Sequence, residues 1–333
     1  NGASAHDMNG ASAHATNGAS ARPVHLGGFG EPLTAVPRAL STPRHTAYLK
    51  IAEGCNHTCT YCVIPRLRGR QRSRPVEALI EEARVLAAGG VRELSLIAQD
   101  TTNYGRDRGR QELPELVAAL AAVPGIRWIR LLYTHPALWS AALVDALAAL
   151  GSVVPYVDVP VQHVSDRVLR LMRRATTGPS LRRRLALLRE RLPHVALRST
   201  VIAGFPGEPE EDVDELVAFV SEFGFERLGC FTYSREEGTP AAGFPGQVPE
   251  AVKRARRARV MAAQQEVSRR RNRELVGRVV EVLVDDVTGP SAAVGRTAAD
   301  ALEIDGTVRL TGDALVAGQF VRAPGVRSAR GPA

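Results

Sequence analysis

The chain has 333 residues, of which 44% are hydrophobic and 23% charged. That is a globular composition, and the length exceeds what one hydrophobic core usually serves, so two domains are expected. Lys and Arg outnumber Asp and Glu by 43 to 35, a net charge of +8, which favours contact with nucleic acid or reflects a bare composition bias. No apolar run reaches the roughly 18 residues of a membrane span, and no secretory signal is recognisable, so no membrane partner is expected. The four cysteines are too few for a disulfide scaffold and point to a reducing, cytoplasmic setting.

Residues 1–24 repeat an eight-residue unit, NGASAHDM, NGASAHAT, NGASARPV. Small, polar and Gly-rich, it buries too little surface to offset its ordering entropy, so residues 1–30 are expected to be a disordered tail or linker. His6, His14 and His25 belong to that solvated stretch rather than to a metal site. The first residue is Asn rather than Met, and a fragment or processed product is expected.

From residue 46 short apolar runs alternate with amphipathic stretches. TAYLKIA (46–52) reads as a strand, and VEALIEEARVLAAGG (76–90) as a helix stopped by a Gly pair. ELSLIAQ (93–99) is a strand, LPELVAALAAV (113–123) a helix, IRWIRLLY (126–133) a strand and ALVDALAAL (142–150) a helix. YVDVPVQ (156–162) is a strand, followed by two Arg-rich helices near 165–174 and 180–191. VALRSTVIAG (195–204) is a strand, EEDVDELVAFVSEF (210–223) a helix and RLGCFTY (227–233) a strand.

Six strands each followed by helical sequence predict an α/β fold with a parallel sheet, either a partial (β/α)6 barrel or an open doubly wound sheet. Either architecture puts reactive groups at the carboxyl ends of the strands. A long basic helix follows over 250–274, and then short β-like pieces between Gly turns that predict a small β-barrel of about 50 residues. Domain boundaries are expected at 41–272 for the core and 273–325 for the barrel.

The loop after the first strand reads EGCNHTCTYC (53–62) and carries Cys55, Cys59 and Cys62. A structural zinc site wants four ligands, usually as two CxxC pairs. Here only His57 stands nearby to complete a set, and Cys230 lies far away in the sixth strand. Thiolates at this spacing cap one face of an iron–sulfur cubane, and three ligands leave the fourth iron open to a small chelating ligand. Cys230 itself reads as a buried apolar filler. VIAGFPGE (201–208), at the end of the fifth strand, has glycines where a ligand can approach the backbone, or makes an ordinary strand-to-helix turn.

CxxxCxxC, with Tyr61 before the last cysteine, resembles the radical SAM superfamily signature. AYLKIAEGCNHTCTYCVIPRLRGRQRSRP (47–75) resembles its methylthiotransferase branch. AQDTTNYG (98–105), YVDVPVQHVSDRVLRLMRR (156–174), RSTVIAGFPGEPEED (198–212) and CFTYSREEGTPA (230–241) are similar to the members that modify ribosomal protein S12. GRTAADALEIDGTVRL (295–310) resembles the TRAM barrel of that family.

The resemblance implies a radical SAM barrel with one 4Fe-4S cluster on Cys55, Cys59 and Cys62, and S-adenosylmethionine (SAM) as co-substrate. It implies methylthiolation of an aspartate β-carbon in S12, on the small ribosomal subunit, with a low-potential electron donor. Tyr61 is expected near the adenine. Gln99, Asp158, Gln162, Arg198 and Gly204 are candidates for SAM or substrate contact at strand ends. Asp158 and Arg198 read equally as an internal ion pair, and His135 and His163 as structural histidines. The family also carries an N-terminal domain with three further cysteines for a second, auxiliary cluster, and those ligands are absent here. After GQFVRA (318–323) the basic ending PGVRSARGPA departs from the family's acidic, aromatic stretch, and an incomplete last barrel strand is expected. SAM cleavage on another peptide or RNA, and a non-catalytic ribosome-binding remnant, remain the alternatives.

Overall fold

The computed structural model describes residues 39–324. The repeat at 1–30 and the ending at 325–333 lie outside the described residues, so the readings made for them are not addressed by it. The first strands are β1 (Thr46–Lys50) and the short β2 (Ala52–Glu53), which pairs antiparallel with β3 (Arg72–Ser73) across helix α1 (Ile64–Arg68). Next come α2 (Val76–Ala88), β4 (Glu93–Ile97), α3 (Leu113–Ala121), β5 (Trp128–Leu131), α4 (Ala141–Ala148) and β6 (Val153–Asp158). Helices α5 (Asp166–Leu171) and α6 (Gly178–Arg191), β7 (Ala196–Ala203), α7 (Glu210–Phe223), β8 (Arg227–Thr232) and α8 (Glu250–Glu274) complete this part.

The six major strands form one parallel sheet in the sequential order β1-β4-β5-β6-β7-β8, the order of a (β/α)6 partial barrel, without the reversal of a doubly wound sheet. Strand alternation sorts its two faces. Ala47 and Leu49, Leu94 and Leu96, Ile129 and Leu131, and Leu197 and Val201 point outward into the helix layer and are buried. Tyr48, Ile97, Trp128, Leu132 and Tyr156 belong to a separate cluster on the inner face. The helices obey their end signals. Ser140 Oγ accepts from Leu143 N at the start of α4, three acidic residues open α7, and Gly224, at φ +71°, stops it. No helix among the described residues is long and apolar enough to cross a membrane.

The elements differ from expectation in two places. The strand expected at 156–162 runs instead over Val153–Asp158. Pro160 has no N–H for the ladder and Gln162 is left-handed at φ +70°, so regular pairing with β7 stops early and only an isolated bridge at Gln162 continues it. The α1 helix and the β2–β3 pair were not anticipated, being too short to show a period.

Strands β9 (Val279–Gly289), β10 (Ala292–Thr297), β11 (Val308–Thr311) and β12 (Phe320–Pro324) make a curled antiparallel sheet in the order β11-β10-β9-β12. Gly295 is required there, because a Cβ would stand 2.3 Å from Leu283 O. The loop after β10 enters the inner face of the parallel sheet at its amino-terminal end. Ala298, Ala299 and Ala301 pack against Trp128, Leu132 and Tyr156. Tyr48 donates to Leu302 O at 3.2 Å, and Arg130 donates to Ala298 O at 2.8 Å.

Charges close the same contact. Glu93 and Arg130 are fully buried, and Arg296 is 1% exposed. Glu93 accepts from Arg130 Nε at 3.0 Å and from Arg296 Nη2 at 2.8 Å. Arg296 also binds Asp285 at 2.8 Å, and Asp285 binds His45 at 3.0 Å. Burial alone would raise the Glu93 carboxyl, but Arg130 and Arg296 outweigh it and hold its pKa below the ordinary value. Its stabilisation is therefore complete above the unfolded-state pKa of about 4.3 and is lost as pH falls through the lower folded-state value. Replacing Glu93 by Leu leaves two buried guanidiniums without their shared anion. The expected loss is about 3–5 kcal/mol, read as a lower urea midpoint at neutral pH.

Candidate active site

The cysteine loop leaves β2 at the carboxyl end of the sheet. Gly54 starts it at φ +85°, where a Cβ would stand 2.3 Å from Arg70 O. Gly54 N donates to Gln99 Oε1 at 2.8 Å, and Cys55 N to Gly69 O at 3.1 Å. Farther along, Thr60 satisfies the end of α5: its N–H donates to Met172 O at 3.1 Å and its hydroxyl to Leu171 O at 2.8 Å. Arg173, left-handed at φ +52°, turns the chain back after α5. Arg174 then reaches the loop, donating to Cys59 Sγ at 3.8 Å and to Pro160 O at 2.8 Å.

A second brace comes from the β4 and β5 ends. His57, between the first two cysteines, pairs with Asp100 at 2.6 Å and stacks on His135 at 4.0 Å between ring centroids. Thr102 donates to the other Asp100 oxygen at 2.5 Å and accepts from His135 N at 3.0 Å. His135 is held neutral, its pKa lowered to about 2 by burial first and then by Arg174 and His57. Side chains from α5 and from the β4 and β5 ends thus hold the loop.

Cys55, Cys59 and Cys62 are free and half-buried. Burial pushes the Cys55 thiol up to about 11 and raises that of Cys62, with the neighbouring sulfurs adding to both. Among the described residues no three His, Cys, Asp or Glu side chains converge on one metal-ion position. A zinc site would need such convergence. A cubane does not, because each thiolate binds a different iron. The donor set, three soft sulfurs on one preformed loop, fits a cluster.

The other expected site residues fall into two groups. Tyr61 lies edge-on to Phe205 at 6.4 Å, in an apolar wall with Val168, Met172 and Tyr233. Gly204 is left-handed at φ +77°, its N–H donates to Glu208 Oε2 at 2.6 Å, and a Cβ would stand 2.4 Å from Lys253 Cγ. Gln162 also lies at this end of the sheet, its backbone bridging Thr200 O at 2.9 Å and Ile202 N at 2.8 Å. Gln99 is nearby but tied to Gly54 and to Glu53 Oε1, the latter at 3.2 Å.

Asp158 and Arg198 are different. They form an ion pair at 2.8 Å, and the Asp158 side chain is 1% exposed. Arg198 is the third residue of β7, with five more before its carboxyl end, so its expected place at a strand end is corrected. The alternation that faces it inward does not fix its height along the sheet.

His163 is buried against Glu208 at 3.2 Å and accepts from Ser165 N, a structural role as expected. Cys230 is 4% exposed in the helix-side core, with its thiol raised by burial to about 12. Sequence reasoning quoted Asp100, Thr60 and Arg174 within motifs but gave them no part. Only tertiary contact shows what each touches. Two arginines of the basic helix α8 pair with acidic residues of α7 and of the turn before it. Arg256 binds Glu208 at 2.8 Å, and Arg259 binds Glu210 and Asp214.

Residues 49–220 match the radical SAM superfamily, and residues 276–328 match the TRAM domain. The chain is 51% identical over 291 residues to ribosomal protein uS12 methylthiotransferase RimO from Anaeromyxobacter sp. (strain K), covering 86% of this chain and 62% of that protein. It is 47% identical over 308 residues to RimO from Geobacter sulfurreducens, covering 90% of this chain and 69% of that protein. This chain belongs to the RimO family of radical SAM proteins. It spans 62% of the length of the Anaeromyxobacter RimO. A solved radical SAM methyltransferase, TsrM from Kitasatospora setae, is 20% identical, with a TM-score of 0.49 over 59% of this chain and 38% of that chain. Membership of the radical SAM superfamily implies a 4Fe-4S cluster and SAM.

Replacing Gly204 by Ala forces a side chain into left-handed backbone and against Lys253, whose ammonium is anchored on Tyr233 O at 2.8 Å. The expected loss is about 1–3 kcal/mol, seen as a lower melting temperature of the metal-free protein.

Proposed function

We propose that the chain carries the SAM-cleaving part of an S12 methylthiotransferase. Cys55, Cys59 and Cys62 would hold the cluster, with Tyr61, Gly204 and Gln162 flanking the SAM site. When bound, the cluster supplies the electron that cleaves SAM and so opens radical chemistry at a C–H bond that no ordinary base deprotonates.

The chain's own residues prepare that step. Gly54 and Thr60 fix the loop backbone at both ends. Arg174 puts a cation beside Cys59. His57, held by Asp100 and His135, keeps the segment between the first two cysteines in place. The wall of Phe205, Met172 and Tyr233 beside Tyr61 excludes water from one side. At the mouth, Tyr133 is 46% exposed and Phe231 62% exposed, and they offer aromatic surface to a peptide.

The observation that carries this reading is the three-thiol loop at the carboxyl end of β1, braced from α5 on one side and from β4 and β5 on the other. S12 on the small ribosomal subunit is the proposed substrate, following the named activity of the relatives. A cytoplasmic setting and a low-potential electron donor belong to the same proposal. So does the expectation of one cluster only. Three of the four cysteines sit in this loop, and the fourth, Cys230, is buried in the core.

Iron analysis of the anaerobically reconstituted chain is expected to give about four irons, and eight would refute the single-cluster reading. Reduction with SAM should release deoxyadenosine, and Cys59→Ala should lose the cluster absorbance and all cleavage. Cleavage surviving in that variant would remove the site assignment. A methylthio mass gain on an S12 loop peptide, obtained once an auxiliary cluster is supplied, distinguishes this substrate from another peptide or RNA.

A further inference from the structure

The loop that the TRAM sheet sends into the parallel sheet does more than close its floor. At its end stands Asp305, whose side chain is only 3% exposed. The carboxylate is locked to its own loop by Ala301 N, which donates to Oδ2 at 2.9 Å. The same oxygen accepts from Tyr156 Oη at 2.7 Å. Oδ1 lies 3.7 Å from Arg198 Nε. Arg198 in turn donates to Asp158 Oδ1 at 2.8 Å.

From Asp158 the contacts continue to the end of β5. Its Oδ2 accepts from Tyr133 N at 3.0 Å. Its backbone carbonyl accepts from Thr134 N at 3.0 Å and from Thr134 Oγ1 at 2.6 Å. Tyr133 is left-handed at φ +57°. A bulky residue rarely adopts that conformation without an outside partner to hold it, and here the partner is a buried carboxylate. The next residue but one, His135, stacks on His57 inside the cysteine loop. Tyr133 O accepts from Thr101 N at 3.1 Å, next to the Asp100 that binds His57.

Tyr133, Thr134 and His135 are therefore gripped on one side through Asp158 and press on the cysteine loop on the other. We propose that Asp305 is a positioning residue supplied by the TRAM sheet. Held by Tyr156, it sets Arg198 and through it Asp158, and Asp158 sets the Tyr133–His135 segment that braces the cysteine loop. The TRAM sheet is then part of the reaction chamber's frame and not only an outer docking module.

Charge is the reason a substitution at one end is felt at the other. Arg198 faces two carboxylates, Asp158 and Asp305, across the inner face. A half-buried guanidinium that loses one of them leans further on the other, because its inward face is shielded from water. Asp158 has then to share its two oxygens differently between Arg198 and Tyr133 N. The left-handed turn at Tyr133 loses its anchor.

This inference rests on the cluster reading only where it refers to the cysteine loop. Its first test needs no cluster. Hydrogen exchange is compared between the full metal-free chain and its Asp305→Asn variant. Peptides covering 131–136 are expected to exchange at least tenfold faster in the variant, while those from α2, α3 and β11 stay as they were. No change at 131–136, or a uniform rise across the whole chain, overturns the proposal. Asp305→Glu should restore most of the protection, and failure to do so would also count against it.

If Asp305→Asn does not fold, Tyr156→Phe carries the same test, since it removes only the hydroxyl. An unaltered 131–136 segment in that variant overturns the relay. In reconstituted protein, iron loss to a chelator should be several-fold faster in the variant than in the parent, and equal rates would confine Asp305 to the floor. A parent chain that binds no iron sinks the proposed function instead, and the exchange result still decides the relay.

Discussion

Glu93 sits out of reach of water between two arginines that come from different parts of the chain, Arg130 on β5 and Arg296 on β10. Neither guanidinium is tolerable there without the carboxylate, and the carboxylate is not tolerable without them. Such a group adds little net stability over well-packed apolar residues, but it rejects wrong arrangements strongly. It fixes which end of the parallel sheet receives the TRAM loop and at what depth. Asp285 and His45 extend the same constraint to the start of β1. The inner face is thereby divided. Its amino-terminal half is filled by the TRAM loop, and its carboxyl-terminal half is left for chemistry.

The cysteine loop shows the complementary device. A polar loop with few apolar contacts of its own is ordered by neighbouring elements. Here the unsatisfied carbonyls of α5 serve as acceptors for Thr60, and the end of α5 throws Arg174 across to Cys59. The β4 and β5 ends contribute Asp100, Thr102 and His135. Each of these contacts restricts the loop backbone or the side chains between the cysteines.

Much of this was readable in advance. Helices α7 and α8 run over Glu210–Phe223 and Glu250–Glu274, the spans expected from the sequence. Alternating strand-like and helical runs predicted the parallel sheet, and the loop carrying the three cysteines lies, as expected, after the first strand. The misses have physical causes. Pro160 and the left-handed Gln162 moved a strand that looked continuous as apolar sequence. Arg198 looks like a strand-end residue within its motif, but lies far from the carboxyl end of β7. Arg296 and Asp305 gave no signal, because a charged residue in a Gly-rich β segment reads as surface until something buries it.

The sequence by itself determined the kind of chemistry and its address. Three thiols at fixed spacing carry the proposed cluster site, and alternating βα units put them at one end of a parallel sheet, since residue spacing and strand periodicity are local properties. The tertiary structure alone decided what supports those thiols and what closes the opposite end. Thr60 meeting the end of α5, His57 meeting Asp100, and Arg296 meeting Glu93 across 203 positions are contacts between segments distant in sequence. Their energies come from burial and pairing, and neither exists for a residue until the whole chain has folded around it.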